Sequence, residues 1–499
     1  MAVVALVAVV VIHPESVAGE EPDETSAIEQ PEIDGDAVEG TGDKPGEVAN
    51  DPALAEAIEA VLDDDELRRT DVGIYVRDLD AGEVLYARDA DRLMNPASNV
   101  KLVTAAIALE NLGPNHTFTT ELWTRANSDG SLDDLYVRGE GEAFLQYKDV
   151  LSWAGDLRRR GIDRIDGDVV IDDGAFDGAY LPPGFDMRDV GAAYRSPIGA
   201  VSVNFNAISV EVEPGDAIGS PAKITVSPPN NYVEVINRTE TVYGQYPQVE
   251  VRARPGDDGM RLIVDGVVGN NANAMTRRKR IDDPPAFAGS VVAEAMRMVG
   301  IEFDGDVTRG RIPDDGTKLV DHQSKPLMLS LRAMNKWSNN FIAEQLLRVV
   351  GVVDDEPSTW EAARLRASRT LVDYGLDEGT YNLHNGSGLY DGNELSPRQI
   401  VTLLDAMRDH PYGAEFASTL AIAGVDGTLR RRLDDGVTEA NLRGKTGTLR
   451  NVTALSGYVQ TVSGRNVGFS IMFNDPPRRA WNYRDDQDDI ARAIAEFDG

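Results

Sequence analysis

A serine and a lysine three residues apart could form the nucleophile and the base of an acyl-transfer site. Ser98 and Lys101 stand in the run Ser-Asn-Val-Lys. Residues i and i+3 share one face of a helix, so the amine would lie beside the hydroxyl. A serine needs an adjacent base, and a lysine can serve when burial and nearby positive charge lower its pKa. The alternative is an N-capping serine followed by a surface lysine.

A second set of polar groups occurs near the C-terminus, in Lys445-Thr446-Gly447-Thr448. A cation and two hydroxyls on one strand edge would suit a substrate carboxylate, and a glycine would let the substrate backbone approach closely. The backbone N–H of Thr448 and the free N–H groups at the start of the Ser98 helix would suit an oxyanion. The alternative is a hairpin with an incidental lysine.

The hydrophobic pattern predicts the elements that would carry these groups. An apolar helical stripe follows Ser98 and stops at Gly113-Pro114. Strand patterns occur at 451–460 and 466–473. Helical patterns occupy residues 327–349, 359–374, 397–408 and 487–497.

A third group, Ser338-Asn339-Asn340, interrupts one of these helical segments, where polar residues indicate either a cap or a site. Taken in chain order, the three groups follow the S-x-x-K, S-D-N and K-T-G motifs of penicillin-binding proteins and class A β-lactamases. The second motif agrees only at its first and third positions, because Asn339 stands at its centre.

The residues around the motifs resemble the D-Ala-D-Ala carboxypeptidase/endopeptidase family, the low-molecular-weight class C penicillin-binding proteins. The resemblance extends from about residue 54 to residue 473. The segments that carry it are 96–106, 112–114, 334–344, 386–389, 396–397, 423–429 and 444–459.

Ser98 and Ser338 are 240 residues apart, more than a single-domain β-lactamase allows. The resemblance implies domains inserted between the first two motifs, and residues 118–312 there show short strand patterns separated by Gly, Asp and Pro turns. We therefore expect an α/β (α+β) fold, with a penicillin-binding-protein/β-lactamase-like transpeptidase domain whose antiparallel sheet is flanked by helices. Residues 51–117 and 313–499 would form this discontinuous acyl-serine transferase domain, and residues 118–312 the β-rich insert.

The resemblance implies the reaction of a serine-type D-Ala-D-Ala carboxypeptidase or DD-endopeptidase acting on cell-wall peptides. Ser98 would attack the carbonyl of the penultimate D-Ala, and Lys101 would accept the hydroxyl proton. Water would then hydrolyse the acyl-enzyme. The implied remaining roles are proton relay to the leaving amine (Ser338 and Lys445), substrate-amide contact and orientation of Lys101 (Asn340), and binding of the terminal carboxylate by the Lys445-Thr446-Gly447-Thr448 segment.

The resemblance also implies partners. The substrate would be peptidoglycan or a D-amino-acid peptide, and β-lactams would inhibit by acylating Ser98. No metal or organic cofactor is needed. Departures from the family pattern at Glu142-Ala143, Asn385 and Asp391 bear on substrate preference more than on the chemistry.

Composition narrows the class of protein. Asp and Glu number 84 against 49 Lys and Arg, a net charge of −35 that disfavours nucleic acid and acidic membrane surfaces. Only nine of the cations are Lys, which indicates a high-salt environment; the alternative is an acidic protein from a GC-rich genome. The absence of Cys excludes thiol nucleophiles and disulfides, and five scattered His disfavour a multi-His metal site.

The N-terminal segment predicts export. Residues 2–12 are apolar, and the small residues 16–18 resemble a cleavage site, so we interpret 1–18 as a signal peptide or its remnant. The alternative is a buried element of the mature fold. Residues 19–50 are rich in Asp, Glu, Gly and Pro and are predicted to be an acidic, disordered linker. An extracytoplasmic location follows.

Two other functions stay open at this stage. One is a β-lactamase or esterase on the same fold, and the other is a catalytically silent envelope-binding module. The sequence decides neither the oligomeric state nor the preference between carboxypeptidase and endopeptidase reactions. In a salt-loving host without ordinary peptidoglycan, the natural substrate would be another D-amino-acid peptide.

Overall fold

The computed structural model describes residues 50–125, 127–128, 130–185, 191–352 and 356–499. The predicted signal peptide and all but the last residue of the predicted linker lie outside these ranges. Within them, no helix combines the length and apolar character needed to cross a bilayer.

Most of the helices lie before residue 113 or after residue 326. The α-helices are α1 (Pro52–Leu62), α2 (Val100–Leu112), α3 (Tyr147–Arg159), α4 (Pro284–Met298), α5 (Leu327–Lys336), α6 (Asn340–Val349), α7 (Trp360–Asp373), α8 (Pro397–Asp409), α9 (Gly413–Thr419) and α10 (Arg484–Ala495).

Strands occur at both ends and dominate the middle. They are β1 (Asp71–Asp78), β2 (Val84–Arg88), β3 (Thr119–Thr124), β4 (Asn127–Ser128), β5 (Ser131–Leu132), β6 (Leu135–Gly139), β7 (Arg164–Ile165), β8 (Val169–Asp172), β9 (Ala207–Glu213), β10 (Lys223–Ser227), β11 (Val233–Val242), β12 (Pro247–Pro255), β13 (Met260–Gly269), β14 (Met275–Arg280), β15 (Glu302–Phe303), β16 (Val307–Arg309), β17 (Thr317–Gln323), β18 (Ala421–Ile422), β19 (Arg443–Leu449), β20 (Val452–Gln460) and β21 (Asn466–Asn474).

One six-stranded antiparallel sheet joins the two ends of the chain. Its order is β18-β19-β20-β21-β1-β2, and β1 pairs with β21 along its whole length, from Asp71 opposite Asn474 to Asp78 opposite Val467. α1 and α10 pack on one face, and α8 packs on the other, with α2 and α6 in the core beyond it. This confirms the predicted antiparallel sheet flanked by helices.

α2 is the central helix of the larger core. Residues 100–109 are all buried, so the predicted apolar stripe is only part of its buried surface. A helix that is mostly apolar and small around its circumference packs inside a protein rather than on its surface. α2 ends where predicted, with Gly113 at φ 78° as its C-cap. The burial of this helix takes Lys101 out of water.

The strands between β3 and β17 form four further sheets around a second core. The predicted insert therefore contains β structure, but β17 pairs with β3, so this pairing continues past the predicted boundary at residue 312 to Gln323. The insert also contains α3 and α4, which the strand patterns did not indicate. α4 begins with Asp283 as N-cap and two prolines in its first turn.

Candidate active site

Ser98 lies in a 3₁₀ turn, Ala97–Asn99, that leads directly into α2. The buried side chain of Asn99 ties this turn to the sheet: its Nδ2 donates to Ser456 Oγ of β20 at 2.7 Å. Ala97 has φ 46°, in the left-handed region. The turn thus fixes a partly exposed serine at the start of a buried helix.

Two glycines let neighbouring segments close on this turn. A Cβ at Gly388 would lie 1.8 Å from Ala97 O, and a Cβ at Gly447 would lie 2.9 Å from Pro96 O and 3.1 Å from Ser98 N. Gly447 was predicted to make room for a substrate. In the structure, the space its missing side chain leaves is filled by the Ser98 turn, so its first role is to let β19 approach the nucleophile.

Lys101 is fully buried, and its amine has three acceptors. Nζ donates to Ser98 Oγ at 2.8 Å, to Asn340 Oδ1 at 2.8 Å and to the Ser387 carbonyl at 2.6 Å. Burial holds the pKa of Lys101 well below its ordinary value, and the charge of Lys445 lowers it further, whereas Glu344 opposes both effects. The i, i+3 geometry predicted for Ser98 and Lys101 is present.

The Ser338-Asn339-Asn340 group breaks the helical segment predicted at 327–349 into α5 and α6. Ser338 has φ 55°, and Asn339 caps α6 by accepting a hydrogen bond from Ile342 N at 2.9 Å. The central residue is therefore a cap, while Ser338 and Asn340 on either side contact the two lysines. The triplet is therefore both a helix cap, at Asn339, and part of the site, at Ser338 and Asn340.

Lys445 lies on β19 and is also fully buried. Its Nζ donates to Ser338 Oγ at 3.0 Å and to the Thr446 carbonyl at 2.6 Å. Burial lowers the pKa of Lys445 to about 7. The second amine therefore changes its charge close to neutral pH.

One edge of β19 is open beside these groups. β18 pairs only with Arg443 and Gly444, and beyond them no strand of the described ranges pairs with that edge. Thr446 Oγ1 donates to Thr428 Oγ1 at 2.8 Å, and Thr448 Oγ1 accepts from Arg484 Nη2 at 3.4 Å. An open strand edge with hydroxyls and an amine can take an extended peptide as an additional strand.

Several groups at the site had no clear signal in the sequence. The Ser387 carbonyl accepts from Lys101, and the Tyr194 carbonyl, from the predicted insert, accepts from Asn340 Nδ2 at 3.1 Å. Both acceptors are backbone carbonyl oxygens, whose positions cannot be predicted from residue types. Thr428 lies in the segment 423–429 that carries the family resemblance, which gave it no role, yet its hydroxyl accepts from Thr446 Oγ1.

The predicted residues thus converge from three distant segments. Both amines are buried, whereas Ser98, Ser338, Asn340 and Thr448 are partly exposed. The crevice can therefore present a hydroxyl to a peptide while it keeps the proton acceptors out of water.

The chain is similar to known proteins over most of its length. A model of the D-Ala-D-Ala carboxypeptidase 3 (S13) family matches residues 54–497. The D-alanyl-D-alanine carboxypeptidase of Actinomadura sp. (strain R39) is 33% identical over 465 residues, covering 89% of this chain and 85% of that protein. The carboxypeptidase DacB of Haemophilus influenzae is 27% identical over 413 residues, covering 81% and 85%.

The fold is that of a solved relative. The crystal structure of penicillin binding protein 4 (dacB) from Haemophilus influenzae superimposes with a TM-score of 0.76 at 24% identity, covering 88% of this chain and 99% of that one. From the family match and the relatives together, this chain belongs to the D-Ala-D-Ala carboxypeptidase 3 (S13) family of peptidases.

Proposed function

We propose that this protein is a serine-type D-Ala-D-Ala carboxypeptidase that works through an ester between its substrate and Ser98. One observation carries the proposal: the buried Nζ of Lys101 lies 2.8 Å from Ser98 Oγ, with its pKa held low by burial and by Lys445. When the amine is neutral it has only two N–H donors, and its lone pair accepts the Ser98 Oγ–H, as general-base activation of serine requires. Family membership supports the same reaction.

The substrate peptide lies along the open edge of β19. Its terminal carboxylate meets the amine of Lys445 and the hydroxyls of Thr446 and Thr448, and Asn340 contacts the amide on the other side of the crevice. A carboxylate close to a buried amine favours the protonated amine, so binding restores the charge that burial had disfavoured. Substrate and Lys445 thereby stabilise each other.

Acylation then proceeds at Ser98. Oγ attacks the carbonyl carbon of the penultimate D-Ala while Lys101 Nζ accepts the hydroxyl proton. The backbone N–H groups of Ser98 and Thr448 stabilise the oxyanion of the tetrahedral intermediate. When the intermediate collapses, the peptide C–N bond breaks, and the leaving amine takes the proton that Lys101 held. This proton is relayed through Ser338, whose hydroxyl is hydrogen-bonded to Lys445, and Lys101 is neutral again.

Deacylation returns the enzyme to its starting state. A water molecule gives a proton to neutral Lys101 and adds to the ester carbonyl, and the same oxyanion donors stabilise the second intermediate. Collapse breaks the C–O bond to Ser98, and the proton held by Lys101 returns to Ser98 Oγ. A β-lactam presents the same carbonyl and carboxylate, so it acylates Ser98 by the first half of this sequence.

The domain division and the location belong to the same proposal. The predicted division of 51–117 with 313–499 around an insert of 118–312 changes at one boundary, because β17 pairs with β3. Residues 51–117 and 324–499 form the acyl-serine transferase domain, and residues 118–323 form the insert, which supplies the Tyr194 carbonyl to Asn340. Cell-wall peptides occur outside the cytoplasmic membrane, so we place the protein there. Support comes from the apolar run at residues 2–12 and the small residues that follow it.

A turnover comparison tests the proposed reaction. The wild-type protein should release D-Ala repeatedly from a D-Ala-D-Ala peptide, and a penicillin should acylate it once and dissociate slowly. Fast penicillin turnover with negligible D-Ala release would indicate a β-lactamase. Neither reaction in the folded protein would indicate a silent envelope-binding module. Ser98→Ala is the control for both assays.

Mass spectrometry of muropeptides distinguishes the two peptidase reactions. Cross-linked and uncross-linked muropeptides are incubated with the protein at high and at low salt. Loss of terminal D-Ala alone indicates a carboxypeptidase, and conversion of cross-linked dimers to monomers indicates an endopeptidase.

A further inference from the structure

Glu344 is a completely buried carboxylate on α6, one helical turn after Asn340. Its two oxygens each accept a backbone N–H from the same loop: Oε2 from Gly386 N at 3.0 Å and Oε1 from Ser387 N at 2.8 Å. A carboxylate that accepts two amide hydrogen bonds in the interior fixes the backbone that donates them. Glu344 takes no part in the proposed acylation and deacylation steps.

The loop that Glu344 holds also faces α2. The Gly386 carbonyl accepts from Thr104 Oγ1 at 2.7 Å, and the Ser387 carbonyl accepts from Lys101 Nζ at 2.6 Å. The N–H groups of the loop therefore point to α6 and its carbonyls point to α2. One continuous path of hydrogen bonds runs from Glu344 through Ser387 to Lys101 and on to Ser98.

The loop has little freedom to move without moving the nucleophile. Gly388, which follows Ser387, has φ 74°, and a Cβ there would overlap Ala97 O of the Ser98 turn. A shift of the loop would displace both the turn and the acceptor of Lys101. A misplacement of about 1 Å in a reacting group can cost about 10²-fold in rate.

The charges around this path are few. Lys101 from α2 acts on Glu344, and Glu344 from α6 and Lys445 from β19 act on Lys101. Other charged groups nearby have partners of their own: Arg348 of α6 pairs with Asp177, Glu110 of α2 accepts from Tyr374 Oη, and Arg195 donates to the Phe185 carbonyl. Burial raises the pKa of Glu344, and the hydrogen bonds from Ser387 and Gly386 oppose this.

We propose that Glu344 is a positioning residue that aims Lys101 at Ser98 through the 386–387 loop, and that its negative charge stabilises the protonated form of Lys101. The proposal rests on the function proposed above, because it assigns Lys101 as the base. Glu344 itself touches neither the substrate nor Ser98.

The test is the rate of acylation by a fluorescent penicillin across the pH range in which the protein is folded. It examines both the positioning of Lys101 and the effect of the Glu344 charge. Glu344→Gln keeps the shape but removes the charge and turns an N–H donor toward one of the loop amides. Thr104→Val loosens the same loop from the other side without changing any charge. Gln345→Met alters the adjacent buried residue of α6, whose Nε2 donates to Gly199 O, and is the control for helix stability.

We expect Glu344→Gln to slow acylation by about 10- to 100-fold. Loss of the negative charge should also move the acid limb of the pH profile to lower pH, because Lys101 then loses its proton more easily. Thr104→Val should slow acylation with the acid limb in place, and Gln345→Met should change neither.

Other outcomes overturn the proposal. If wild-type acylation occurs but Glu344→Gln reacts at the wild-type rate, or reacts slowly with an unmoved acid limb, Glu344 has a structural role only. If Glu344→Gln does not fold, Glu344→Asp retains the charge and shortens the reach. It should then be slow with an unmoved acid limb, and a wild-type rate would contradict the positioning role. If the wild-type protein is not acylated at all, the proposed function fails, and that result is distinct from these.

Discussion

Two buried lysines stand on opposite sides of the crevice, and their surroundings differ. Lys101 lies in the helical core, where Ser98, Asn340 and the Ser387 carbonyl all accept from its amine and the Glu344 carboxylate lies beyond. Lys445 lies on a strand edge, where its acceptors are one hydroxyl and one carbonyl. Both have lowered pKa values.

The difference indicates how one fold uses the same side chain for two tasks. The Lys101 region already contains a carboxylate and three acceptors, so its amine is fixed in place and suited to exchanging a proton with Ser98. The Lys445 region leaves its charge to be stabilised by an incoming carboxylate. Lys336 provides a third case, because its amine is already paired with a carboxylate, that of Asp426, at 2.5 Å.

The largest difference between the two regions should appear when the base is removed. Lys101→Met should lower the rate of acylation by about 10²- to 10⁴-fold, the usual range for loss of a general base. The effect should be the same for a penicillin, a D-Ala-D-Ala peptide and a peptide with a C-terminal amide, because the proton transfer is common to all three. Stopped-flow or quench measurements of acyl-enzyme formation check this.

Removal of the second amine should depend on the substrate. Lys445→Met should lower kcat/KM for a carboxylate-terminated peptide by about 10- to 100-fold, since hydrogen bonds to charged groups are worth about 1.5–3 kcal/mol. For the C-terminal amide the loss should be clearly smaller. Equal losses for both substrates would place Lys445 in proton transfer alone and remove the distinction between the two regions.

The pH dependence of stability should also depend on Lys445. Its pKa is about 7 in the folded protein against an ordinary value of 10.5, so between these values the unfolded chain binds more protons and stability rises with pH. Lys445→Met abolishes this contribution. The variant should therefore gain most stability over the wild-type protein below pH 7. This difference in the free energy of unfolding should decline as the pH rises toward 10.5. Urea titrations at a series of pH values measure this difference. A difference that grows with pH would contradict a lowered pKa for Lys445.

The smallest effect should come from the support of the strand. Thr428→Val removes the acceptor for Thr446 Oγ1, a neutral hydrogen bond worth about 0.5–1.5 kcal/mol. We expect KM for the carboxylate substrate to rise about 2- to 10-fold with kcat nearly unchanged. Thr438→Val, which removes a buried hydroxyl bonded to the Leu433 and Asp435 carbonyls away from the crevice, is the matched control.

Much of this comparison could be predicted from local sequence. The Ser98–Lys101 spacing needed only the geometry of a helix, and the Lys445 segment was expected on a strand edge, as found in β19. The S-x-N group was ambiguous alone, and its meaning came from the order of the motifs. The resemblance to a known family then supplied the fold.

What could not be predicted depends on atoms and contacts that residue types do not specify. The Ser387 and Tyr194 carbonyls are backbone acceptors, and their positions follow from packing between segments far apart in sequence. Glu344 ends a segment that carries the family resemblance, but one acidic residue in an acidic chain indicates no role by itself. Gly447 was noticed, but the reason for it required the distance to the Ser98 turn.

Mass spectrometry of the intact protein after exposure to a penicillin, with peptide mapping, tests the central claim most directly. We expect one covalent adduct per molecule, located on Ser98, that forms in the wild-type protein and is absent in folded Ser98→Ala. An adduct on another residue, or an unmodified wild-type protein that is shown to be folded, would contradict it.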